Sequence, residues 1–104
     1  MSQVEVLGPK GPLRHGGVDL LTWARNQLRV ASEIVDNPGG GLLFASQTIG
    51  QVRAALAETD DPRWSPLVEL LERAEDATVH RDFRRARATL AQAGDVLGTA
   101  AATD

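Results

Sequence analysis

An all-α fold, an antiparallel helical bundle of about four helices behind an irregular N-terminal arm, follows from three observations on this chain. Apolar residues recur at alternating steps of three and four through the segments that start at residues 18, 42, 66 and 79. Most of the proline and glycine gathers before the first segment and in the stretches between the segments. The 104 residues contain no cysteine, so burial of apolar helix faces, not a disulfide or a thiolate metal site, must hold the fold. Residues 1–17 form the arm, and 18–100 form one bundle domain.

The arm, MSQVEVLGPKGPLRHGG, carries four of the ten glycines and two of the five prolines. Gly8-Pro9 and Gly11-Pro12 exclude a helix there. The first helix begins near Val18 or Asp19, with Asp19 as its N-cap, and presents Leu21, Ala24, Leu28, Ala31 and Val35 on one face. It stops at Asp36-Asn37-Pro38-Gly39-Gly40-Gly41, a helix-hairpin turn: no strand precedes the glycines and no Lys-Ser/Thr follows them, as a phosphate loop requires.

Leu42 to Glu58 repeats the spacing with Leu42, Ala45, Ile49, Val52 and Leu56, and Gly50 lies at its middle. Ser65-Pro66 marks the next start, with serine as cap and proline in the first turn. Leu67, Leu70, Leu71 and Ala74 point inward from that third helix. The last stripe resumes at Val79 and runs through Phe83, Ala86, Leu90, Ala93, Leu97 and Ala100. It is one residue out of phase with the third helix, whose register leads to Thr78. Two forms fit: a break at Asp76 to Thr78 with Thr78 capping a fourth helix, or one long bent helix from Pro66 to about Leu97. In either form Leu21, Leu28, Ile49, Val52, Leu71, Phe83 and Leu90 are the expected core.

The formal net charge of −3 disfavours nonspecific association with nucleic acid or an acidic membrane. Ten of the eleven basic residues are arginine and Lys10 is the other, a skew that GC-rich bacterial coding produces. No apolar run approaches the roughly 20 residues of a spanning helix, and Met1-Ser2-Gln3-Val4-Glu5 does not open a secretion signal. The expected compartment is the cytoplasm.

Catalytic and metal constellations are sparse. His15 and His80 are the only histidines and form no zinc or di-iron spacing, so neither metal nor cofactor is expected. Arg81, Arg84, Arg85 and Arg87 crowd the start of the last helix, and the first three share a face. They suit bidentate contact with phosphate or a partner, or pairing with Glu69, Glu72, Glu75 and Asp76 of the third helix. Trp64, in the connection before Ser65, either staples the third helix or anchors an interface.

Two resemblances bear on function. Arg73 and His80, with six residues between them, meet the loosest form of the Arg-x4-6-His motif of helical nucleases of the HEPN type, although Ala74 stands where that family places a polar residue. Thr78-Val79-His80-Arg81-Asp82-Phe83-Arg84-Arg85 is similar to the recognition helix of DeoR-type helix-turn-helix repressors. That resemblance implies DNA contact, although only three residues separate Ala74 from Thr78 and the usual turn glycine is missing. The function expected is a non-enzymatic protein–protein interaction or assembly module, homo-oligomeric, with another protein or a second copy as partner. The alternative is a small DNA-binding regulator using the basic face of the last helix.

Overall fold

The computed structural model describes residues 14–15, 18–37, 39 and 41–103. Its four helices are α1 (Leu20–Asp36), α2 (Leu42–Glu58), α3 (Ser65–Val79) and α4 (Phe83–Thr103). Each packs on its chain neighbours, and α1 closes the ring against α4. The protein is an all-α four-helix bundle. Of the N-terminal arm, Arg14–His15 pairs antiparallel with Val18–Asp19 just before α1; the rest of the arm lies outside the described residues.

Local chemistry accounts for the ends. Asp19 caps α1: its Oδ1 accepts from the Leu21 and Thr22 amides at 3.0 and 3.4 Å, and its Oδ2 accepts from Thr22 Oγ1 at 2.7 Å. Gly39 supplies a positive φ of 44° in the reversal to α2. The start of α3 corrects the sequence reading. Ser65 is already helical and makes no cap; a 3-10 turn over Pro62–Trp64, capped by Asp61, runs straight into α3.

The α3–α4 connection settles the two forms open in sequence and moves the break. There are two helices, and the break falls at residues 80–82, beyond Thr78. Arg81 adopts a left-handed φ of 60°. The Asp82 amide donates to the Ala77 carbonyl at 2.8 Å and the Arg81 amide to Thr78 at 3.1 Å. This is a Schellman close with arginine where glycine is usual. Thr78 does not cap α4. It is buried in α3 and donates to the Ala74 carbonyl at 2.8 Å, which satisfies its hydroxyl and lets α3 keep its register. Val79 is consequently exposed rather than first in the α4 stripe.

The core runs from Leu20 to Leu97 and contains residues of all four helices, with alanines 24, 31, 45, 74, 77, 86 and 93 between larger side chains. Leu28, Ile49, Val52, Leu71 and Leu90 are buried as expected, whereas Leu21 and Phe83 are only half-buried at its edge. Leu20 takes the place assigned to Leu21. Buried Ser46 and Thr89, like Thr78, donate to carbonyls three or four residues back, and no described buried side-chain polar atom lacks a partner.

Candidate interaction surface

One contact fixes how α2 and α3 lie against each other. Glu75 reaches across to α2, where its Oε1 accepts from Arg53 Nε at 3.0 Å. A Cβ added to Gly50 would meet the other carboxylate oxygen at 3.0 Å. The missing side chain of Gly50 is therefore the berth of Glu75. From that level, each step back along α2 matches one step forward along antiparallel α3, at about 1.5 Å per residue on both. Val79 lies one turn past Glu75 on the side facing α2, and Leu43 lies two turns before Gly50 on the side facing α3. Both border the same seam where it opens at the end of the bundle. Leu43 is 70% exposed, Val79 62%, and neighbouring Phe44 56%.

The same end holds the α3–α4 turn and the first turn of α4, and with them the arginines singled out in sequence. Arg81, Arg84, Arg85 and Arg87 are all exposed. The alternative of pairing with α3 does not form among the described residues, and three of the four α3 acids turn elsewhere. Glu75 faces Arg53, Glu69 lies 4.0 Å from Arg73 along its own helix, and Asp76 Oδ1 lies 3.3 Å from His80 Nδ1. Among the described residues no carboxylate makes an ion pair with any of the four arginines. Asp36 and Asp82 also lie at this end, and Asp82 Oδ1 accepts from the Arg85 amide at 3.3 Å.

Trp64 is 6% exposed and belongs to the core. Its ring is buried, as the staple role expects, rather than open at the surface. The Arg63 guanidinium lies 5.1 Å from the ring centroid, at cation–π range. Asp61 accepts from both the Arg63 amide and Nε at 3.0 Å. The amide hydrogen bond, followed by the side-chain bond and the guanidinium charge, holds the Asp61 carboxyl below its ordinary range. Of the nuclease-like pair, Arg73 lies 4.0 Å from Glu69 and His80 Nδ1 lies 2.9 Å from the Asp76 carbonyl oxygen, and the two are not paired with each other.

A second surface, absent from the sequence reading, runs along the α1–α4 seam. It is an open groove of about 500 Å³, bordered by Arg25, Arg29 and Ser32 of α1 and by Ala91 and Gly94 of α4. Arg25 and Arg29 make no ion pair among the described residues. The signal was present as two arginines four apart opposite small residues, but only the packing of α4 on α1 brings them together. Among the described residues no histidine–carboxylate cluster could hold a metal ion, and no helix is long and apolar enough to cross a membrane. No protein-family model matches the chain, and no curated protein and no solved structure matches it either.

Proposed function

We propose that this chain is a non-enzymatic protein-interaction and assembly module that acts as a homo-oligomer in the cytoplasm. The observation that carries the interaction part of the reading is the apolar surface left at the end of a closed core, which suits docking of another protein, whereas self-association has the exposed charged face of α1 available to it. Leu43, Phe44 and Val79 stay in water although eighteen apolar residues are buried in the bundle. Clustered large apolar groups on a surface mark places where another chain docks, and arginines beside them suit an interface core better than lysines would. Static light scattering tests the reading. A mass above the 11.1 kDa of one chain is the expected result, and a mass of one chain at every concentration overturns self-assembly.

The alternative, a small DNA-binding regulator, is favoured by one observation of its own. Arg81, Arg84 and Arg85 are exposed and make no ion pair among the described residues, which leaves them open to phosphate contacts. Binding through them would weaken steeply with salt as counterions are released. Mobility shift of a random duplex at low salt separates the readings. The assembly reading expects no shift at micromolar protein. A shift lost in Arg84→Ala with Arg85→Ala would replace it with the DNA-binding one.

A further inference from the structure

The exposed face of α1 carries two like-charge neighbour pairs that the helix by itself disfavours, with the opposite charges of Arg29 and Glu33 between them. Arg25, Arg29, Glu33 and Asp36 are all exposed, and steps of four, four and three put them on one stripe. Arg25 and Arg29 are like charges one turn apart, as are Glu33 and Asp36. The acids also lie in the last turns of α1, at the negative end of its dipole, where no basic residue offsets them. None of the four makes an ion pair among the described residues.

We infer that this stripe is the contact between two copies of the chain, with their α1 helices antiparallel across a two-fold axis near residues 30 and 31. That axis sets Arg25 of each copy opposite Asp36 of the other, and Arg29 opposite Glu33, so each unfavourable neighbour pair gains opposite charges on both sides. The groove supplies the space: Ser32 beside the axis is small, and a Cβ on Gly94 would meet nothing within 4 Å. The bundle end is a poor alternative for copies, because a two-fold contact there sets Arg81, Arg84 and Arg85 against themselves. The inference rests on the homo-oligomeric reading above and specifies its face.

Charge reversal tests it, with mass read by sedimentation equilibrium and folding by circular dichroism. Arg25→Glu with Arg29→Glu makes the stripe wholly acidic, and Glu33→Arg with Asp36→Arg makes it wholly basic. Each double variant alone is expected to dissociate at least about tenfold more readily than the natural chain. An equimolar mixture of the two is expected to recover the dimer, because acidic stripe then faces basic stripe. Leu43→Ser with Val79→Ser is expected to leave the mass unchanged. If the natural chain dimerises and the charge variants dimerise equally well, this face is wrong while the assembly reading stands. Loss of the dimer in the Leu43/Val79 variant alone overturns the inference in favour of the bundle end. A natural chain that stays monomeric overturns both readings.

Discussion

Arg81 occupies a backbone position that suits glycine. An L-residue in the left-handed region costs about 1–2 kcal/mol, and the φ of 60° at Arg81 closes α3 without the residue that would do so freely. Arg81→Gly is therefore expected to stabilise the fold by about 1 kcal/mol, read as a higher urea midpoint at unchanged slope. If the DNA-binding alternative holds, the same change weakens the mobility shift while raising stability. Asp61 gives a pH signature with a definite sign. Its carboxyl is held below the ordinary aspartate range, first by the Arg63 amide. A lowered folded-state value means that the bond contributes at neutral pH and is lost as pH falls through the folded-state value. Asp61→Asn should therefore lower stability near pH 7 and converge with the natural chain in acid. A carboxyl titration of Asp61 by NMR at or above the ordinary range would overturn this account.

At the scale of elements, the α2–α3 seam turns on Gly50 and Glu75. Alanine at position 50 gains about 1 kcal/mol of helix propensity but pushes on a carboxylate 3.0 Å away. That carboxylate ends a flexible side chain whose ion pair with Arg53 is about one-third exposed on both sides, and such pairs contribute about 0–1 kcal/mol. Gly50→Ala is expected to be neutral to about 1 kcal/mol stabilising, with a larger gain when Glu75→Ala is already present. A double-mutant cycle measures that coupling. The helix ends show what local sequence can specify. Asp19 and the Asp36-to-Gly41 turn fix α1 and the start of α2, because a cap and a reversal are decided by adjacent residues. The α3–α4 break was misplaced because a buried threonine looks polar until its hydroxyl is seen bonded to Ala74. The arginine surroundings were not legible for a different reason. Whether Glu75 meets α2 or α4 depends on how α3 is rotated about its axis, and its neighbours in the chain do not set that rotation. Val79, first in the last apolar stripe on sequence grounds, is exposed because the break falls after it.

For the molecule as a whole, the interior is small side chains alternating with large ones, so a missing large one leaves a void. Leu28 is 4% exposed within that interior. Leu28→Ala is expected to cost about 2–5 kcal/mol, visible as a large drop in urea midpoint, and a change below about 1 kcal/mol would contradict the packing described. The closing contact of α1 with α4 has an effect on connectivity. Because the helices alternate in direction, α1 begins and α4 ends at the same end of the bundle. Chain order is then almost incidental to the ring of neighbours, and the polypeptide can be re-threaded. A short flexible bridge from residue 103 to residue 18, with new termini opened between α1 and α2, keeps every helix beside the same two neighbours. Short connections between helices tolerate relocated ends. The re-threaded chain should retain the helical circular dichroism and a single cooperative melt, with the loss of either showing that the α1–α2 hairpin must form as one local unit.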